Sequence, residues 1–198
     1  TNIATGSNII IDTTAPVITS ITSSTPNGSY KAGDNINIRI NFSEVITLTG
    51  TMGINLDSGG VCVISAFVGT TTTGIYTVLA GDTSLDLTAT GIVVNTTAQD
   101  IALNDLNAAL PIVNIATGSN IIIDTTAPTI TSITSSTPNG SYKAGSVINI
   151  RINFSEPITL LGTMDINLDS GGVCLISAFA GTTATGTYTV LAGHNSLD

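Results

Sequence analysis

The side chains able to do chemistry in this chain are almost all carboxylates. Thirteen Asp and Glu stand against four cations, Lys31, Arg39, Lys143 and Arg151, for a net charge of −9. A nucleophile of the Ser-His-Asp or Cys-His kind needs a histidine as its base. The chain has a single one, His194. Paired carboxylates could cleave a glycoside, but a sugar cleft normally offers aromatic platforms and Trp is absent. No glycine loop runs from a strand into a helix to cradle a phosphate. The reading is therefore of no enzyme. Nucleic acid and anionic lipid are excluded as partners, because either needs a basic face. A cation is the natural small partner. Ca²⁺ takes six to eight oxygen ligands in a forgiving geometry, whereas Mg²⁺ dehydrates reluctantly. Zn²⁺ is disfavoured because the first 124 residues hold one Cys and no His.

The carboxylates belong to a repeat. Asp12-Thr13-Thr14-Ala15-Pro16 returns as Asp124-Thr125-Thr126-Ala127-Pro128, a spacing of 112 residues. Residues 2–86 align with 114–198 without a gap, and 12 of the 85 positions differ, leaving 73 identical. A period this long means whole tandem domains rather than short solenoid units. Three segments follow: 1–12 as the last strand of a preceding repeat, 13–124 as a complete repeat, and 125–198 as a partial second repeat lacking its last two strands. His194 is the counterpart of Asp82, so a residue peculiar to one copy is a poor catalyst candidate. Cys62 and Cys174 occupy one position in the two copies and read as small buried hydrophobes, one thiol per domain being unable to close a disulfide within it.

The elements that must position the acids read as strands. Composition is 42% apolar and 9% charged, the reverse of a disordered chain. Period-2 patterns mark strands at 17–22, 36–42, 52–56, 61–67, 74–79, 85–94 and 112–123. In the second of these Ile36, Ile38, Ile40 and Phe42 face inward, with Asn37, Arg39 and Asn41 outward. Met52, Ile54 and Leu56 face inward too, because Gly53 on the other face becomes Asp165 in the second copy. Tyr76 and Val78 face the core, since Ile75 becomes Thr187. Strand 61–67 is apolar on both faces. Residues 95–107 form a polar loop, and 99–110 alone would permit a helical turn. About seven strands in roughly 110 residues fit a two-sheet, all-β, Ig-like sandwich.

Strand parity then sorts the acids. Seven alternating strands bring the chain in at one pole and out at the other, so tandem copies stack end to end. Glu44, Asp100, Asp105 and Asp12 fall at the entry pole. Asp34, Asp57, Asp82 and Asp86 fall at the opposite pole, and the joint to the second copy gathers Asp124 and Glu156 with some of these. The acids are either ordinary solvated loop residues or ligands of Ca²⁺ at one or more joints. Asp34 and Asp82 are the weaker candidates, being Ser146 and His194 in the second copy. The Asp-Thr-Thr-Ala-Pro linker is short and its proline restricts the preceding residue, which predicts a stiff joint.

Four motifs carry a resemblance: Asp12–Pro16, Thr25–Asp34 (T-P-N-G-S-Y-K-A-G-D), Phe42–Glu44 (F-S-E) and Tyr76–Asp82 (Y-T-V-L-A-G-D). With these the chain resembles tandem bacterial Ig-like (cadherin-like) repeats of very large surface proteins and adhesins. The resemblance implies an extracellular, cell-surface structural stalk or extender. It also implies that Asp12, Glu44 and Asp100, with Asp124 and Glu156 in the second copy, are the positions to test for Ca²⁺. The departure is at Asp100-Ile-Ala-Leu-Asn104, where a D-x-x-G-N turn is usual. Partners on this reading are neighbouring repeats of the same protein and other copies, lateral or by strand sharing. Two alternatives are a self-assembling fibre or sheath, with strand 61–67 and Cys62 as contacts, and a carbohydrate-binding module using an exposed Tyr30 or Tyr76.

Overall fold

The computed structural model describes residues 9–197. Among the described residues the chain is all-β, with several sheets of the sandwich class and one helical turn. It divides into two compact units, Thr1–Thr126 and Ala127–Asp198. Residues 1–8 of the strand expected at 1–12 lie outside the described residues, and Ile9–Asp12 belongs to no strand. Among the described residues no helix is long and apolar enough to cross a membrane.

In the first unit the elements run β1 (Ile18–Ser23), β2 (Gly28–Tyr30), β3 (Asn35–Leu48), β4 (Met52–Leu56), β5 (Val61–Ile64), β6 (Phe67–Thr77), β7 (Thr83–Ser84), β8 (Ala89–Val94), β9 (Ala98–Gln99), α1 (Ile115–Gly118) and β10 (Ile121–Asp124). They form three sheets rather than two. One has the order β1-β3-β6 with β9 also on β3, the second β5-β4-β8, and the third is a narrow strip, β2-β10-β7. Alternation decides the faces, as a two-residue period requires. Ile36, Ile38, Ile40 and Phe42 are buried, as are Met52, Ile54 and Leu56, with Tyr76 and Val78 from the β6 side. These residues form one apolar core with Ile121 and Ile123 of β10.

Several expected boundaries move. Strand 61–67 breaks after Ile64 and the chain re-enters at Phe67 as β6, which runs to Thr77 instead of occupying 74–79. The two-sided apolar stretch is explained by an outer face left open: Val61 and Val63 are exposed, while Cys62 and Ile64 are buried. Cys62 is accordingly no surface contact. The turn at 24–29 includes the start of β2, and the polar loop contains β9. Residues 99–110 form no helix. The helical turn falls instead at α1, inside the expected strand 112–123, where Asn114 and Thr117 make a reciprocal capping box. The expected strand 85–94 begins only at Ala89, as β8; residues 85–88 belong to no strand, and the short β7 lies just before them.

β3 is longer than its periodic core because it carries a bulge. Its pairing with β6 runs Asn35↔Thr77 to Asn41↔Thr71, then resumes at Ile46↔Gly69. Residues 42–45 thus lie outside that ladder, where a strand tolerates irregular residues. The second copy uses this tolerance, placing Pro157 where the first has Val45. β6 crosses close over β5 at Gly74. A Cβ there would sit 2.5 Å from Ile64 Cδ1 and 2.6 Å from Cys62 Sγ, so any larger residue forces these neighbours to shift.

The second unit has β11 (Ile130–Ser135), β12 (Val147–Leu160), β13 (Met164–Asn167), β14 (Val173–Ile176) and β15 (Phe179–Thr189) in a single five-stranded sheet, order β11-β12-β15-β14-β13. Registers repeat those of the first unit with an offset of 112, for example Ile133↔Ile152 against Ile21↔Ile40. Its core is smaller and centres on Ile150, Ile152, Cys174, Ile176, Ala184 and Tyr188. Ile148, Met164 and Val190, whose counterparts Ile36, Met52 and Val78 are buried, are only half-buried here.

Candidate metal centre

Three separated segments meet at one place. The β3 bulge sets Glu44 outside the ladder with β6. Just before it, Ser43 clasps the start of β1: its N–H donates to Val17 O at 2.9 Å, and its Oγ accepts from Val17 N–H at 3.0 Å. That clasp brings Asp12, five residues upstream of Val17, towards the same end. Asp12 Oδ1 accepts from Thr14 N–H at 2.9 Å, a local Asx turn. Asp100 arrives from the other side, because β9 pairs Thr47↔Gln99 and Leu48↔Ala98 against the far end of β3.

The outcome is that carboxylate oxygens of Asp12, Glu44 and Asp100 all lie within 4.8 Å of one another. Asp100 is buried, and Asp12 and Glu44 are half-buried. The other acid predicted at this pole, Asp105, instead accepts from Gln99 Nε2 at 2.8 Å.

A small loop holds Asp100 rigidly. Asn104 donates its backbone N–H to Asp100 Oδ1 at 2.9 Å and its side-chain amide to Oδ2 at 2.8 Å. Asp100 N–H returns a bond to Asn104 O at 3.1 Å. The Asn104 amide also reaches the carbonyl of Asp12 at 3.3 Å, tying the lead-in segment to the loop. Leu103 adopts a left-handed conformation, φ 69°, the only non-glycine residue with positive φ among the described residues. It occupies the glycine position of a D-x-x-G-N turn, so the loop keeps the turn's shape at the cost of backbone strain.

The electrostatics follow from this packing. Partial burial, then the negative charges of Asp12 and Asp100, push the Glu44 carboxyl above its ordinary value. Burial alone would raise Asp100 as well. The Asn104 side chain and the backbone N–H groups of Asn104, Ala102 and Leu103 outweigh it and hold Asp100 below the ordinary range.

The donor set fits a hard divalent cation. Two oxygens on one Ca²⁺ can stand at most twice the bond length apart, about 4.6–5.2 Å, against about 4.0–4.2 Å for Mg²⁺. Oxygens within 4.8 Å of one another are close enough to share one Ca²⁺. Neither a thiolate nor an imidazole belongs to the trio, which disfavours Zn²⁺.

Asp124 and Glu156 lie in separate units. Each repeats the local setting of its counterpart. Asp124 Oδ1 accepts from Thr126 N–H at 3.0 Å, and Ser155 clasps Thr129 through bonds of 2.8 and 2.9 Å.

Of the acids assigned to the opposite pole, Asp34, Asp57 and Asp82 have protein partners, whereas Asp86 Oδ1 is buried without one among the described residues. Asp34 Oδ2 accepts from Lys31 N–H at 2.9 Å, and Asp57 accepts from Ser84 Oγ at 2.8 Å and Thr88 N–H at 2.9 Å. Asp82 accepts from the Tyr76 hydroxyl at 2.7 Å and Leu79 N–H at 2.9 Å. His194 takes the place of Asp82, with its Nδ1 2.6 Å from the Tyr188 hydroxyl. Tyr76 is 1% exposed and offers no platform to a sugar.

Sequence reading missed Asn104 as the residue that fastens the loop. Its signal is the four-residue spacing from Asp100, the span of a side chain folding back on a tight turn. No family model and no curated protein matches this chain.

Proposed function

We propose that the chain is a non-enzymatic structural segment, a stalk of tandem Ig-like β-sandwich repeats in a large extracellular bacterial surface protein or adhesin. Ca²⁺ held by Asp12, Glu44 and Asp100 stiffens the entry to the repeat. The observation that carries this reading is the convergence of three carboxylates, from the lead-in segment, the β3 bulge and the β9 loop, within 4.8 Å. Like charges this close need a counter-charge, and the loop that holds Asp100 spends its hydrogen bonds keeping that residue ionised. The near-identity of the two copies supports a role in which the same unit is used repeatedly, which suits reach better than catalysis.

Thermal unfolding of the full chain in Ca²⁺ and in chelator tests it. At free Ca²⁺ 100-fold above Kd, mass action adds about 2.7 kcal/mol to the first unit. The midpoint should then rise by roughly 10 °C. Glu44→Gln should cancel the rise. The gain should also fade on acidification as Glu44, whose carboxyl is held above its ordinary value, takes up a proton, because the protonated acid is a poor ligand. An unchanged midpoint would refute the metal. X-ray scattering on the same sample separates the stalk reading, which requires an extended two-unit particle with or without Ca²⁺.

A further inference from the structure

Asparagine followed by glycine is the dipeptide at which a backbone most readily attacks its own side chain, because glycine has no Cβ to shield the attacking nitrogen. Within the first unit Asn27-Gly28 is the only such pair. It stands at the start of β2, with Asn27 exposed to water.

The strand that completes the core holds both reacting groups. Asn120, the residue before β10, donates its N–H to Asn27 Oδ1 at 2.9 Å and accepts the Gly28 N–H on its carbonyl at 3.1 Å. The parallel pairing continues as Ile121↔Gly28, Ile122↔Ser29 and Ile123↔Tyr30, with Ile121 and Ile123 buried. The two Asn120 bonds act on the chemistry in opposite directions. The bond to Oδ1 draws electrons from the amide carbon and by itself favours attack there. The bond from Gly28 keeps the proton on the attacking nitrogen, and the tie to Oδ1 keeps the side chain from swinging back onto that nitrogen. The second effect wins, because no ring closes without a free nucleophile within reach.

We propose that Asn27 is a deamidation site gated by β10. It converts only while β10 is parted from β2, and conversion then hinders the seam from closing again. Once the seam parts, the Gly28 nitrogen gives its proton to water or hydroxide and bonds to Asn27 Cγ. The Cγ–Nδ2 bond breaks, Nδ2 takes up a proton and leaves as ammonia, and a succinimide remains. That ring has no N–H to offer Asn120 O. Water opens it at either carbonyl, giving aspartate or isoaspartate. Aspartate restores the backbone and keeps an acceptor for the Asn120 N–H. Isoaspartate adds one carbon to the main chain, so Gly28 to Tyr30 fall out of register with Ile121 to Ile123. The inference is independent of the metal.

Peptide mapping by mass spectrometry of the full chain, incubated at mildly alkaline pH with and without urea, tests it. Asn27 should convert roughly tenfold or more slowly in the native chain than in the unfolded one. Ile121→Val, which trims a 0% exposed side chain of β10, should speed native conversion roughly two- to tenfold. Ile54→Val makes an equal trim in β4, outside the sheet that holds β2 and β10, and should leave the native rate unchanged. In urea all three chains should convert alike. The isoaspartate form, separated from the aspartate form, should unfold at lower urea than the Asn27→Asp variant. Native conversion as fast as in urea, equal native rates in the parent and Ile121→Val, or equal acceleration by Ile54→Val would each overturn the gate. An isoaspartate form as stable as Asn27→Asp would overturn the hindered closure.

Discussion

Tyr76→Phe tests whether a buried polar network holds the lower end of the first unit. The Tyr76 hydroxyl donates to Asp82 Oδ2 at 2.7 Å and lies 3.0 Å from Ser58 Oγ. All three residues are buried, Tyr76 to 1%, Ser58 to 5% and Asp82 to 9% exposure. The ring cannot shift to compensate, since Gly60 lies against it so closely that a Cβ there would be 2.3 Å from Cε2. Phenylalanine would therefore keep the ring in place and delete the bonds. A hydrogen bond to a charged acceptor contributes about 1.5–3 kcal/mol. The expected loss at neutral pH is about 2 kcal/mol, read as a lower urea midpoint with an unchanged slope.

The pH dependence provides an independent check. Burial first, and then the Asp82 carboxylate, push the Tyr76 phenol up to about 12 from an ordinary 10. The neutral phenol is thus favoured in the folded state, so its stabilisation is complete below pH 10. Between pH 10 and 12 the unfolded chain releases a proton that the folded chain keeps, and stability falls as pH rises. A rise of this size corresponds to roughly 3 kcal/mol. Tyr76→Phe has nothing to lose there, so the gap between the two proteins should close across pH 10–12. A variant within about 0.5 kcal/mol of the parent at pH 7 would refute the reasoning. So would a gap of equal size at pH 7 and pH 11.

Two further substitutions probe the backbone. Leu103→Gly relieves a left-handed residue that is 72% exposed and packs little. The relief of about 1–2 kcal/mol exceeds the entropy cost of glycine, so the first unit should gain about 0.5–1 kcal/mol in urea unfolding. Gly74→Ala should destabilise the first unit by about 1–3 kcal/mol in the same assay, because the new methyl meets Cys62 Sγ, Ile64 Cδ1 and the Val63 carbonyl at once.

How far the fold could be read in advance varied with the residue. Ile36 to Phe42 announces its facing because alternation is strict and one face is fully buried. The change from Gly53 to Asp165 marked that face of their strand as outward, and this holds for the exposed Asp165, whereas Gly53 is buried on its own strand beside Val61. The break between β5 and β6 was invisible, since Ser65-Ala66 contains neither glycine nor proline and both flanks are apolar. The α1 turn was also hidden: its stop and start depend on Asn114 and Thr117 exchanging bonds, while the surrounding isoleucines read as strand. At the acidic site, parity could sort Asp12, Glu44 and Asp100 to one pole. Their mutual approach depends on a bulge in β3 and on the two-residue pairing of β9, which leave no periodic trace. Nor could a leucine in a left-handed conformation be foreseen, because that choice is made by the Asn104 clamp and not by Leu103 itself.

β10 completes the first core and runs directly into the linker. The strand ends at Asp124, and the second compact unit begins at Ala127. Each full 112-residue period therefore carries its own closing strand. Inserting or deleting a whole period leaves every remaining core with all of its strands. In this architecture the gain or loss of one 112-residue period changes the length of the chain without taking a strand from a core, so length varies in whole steps.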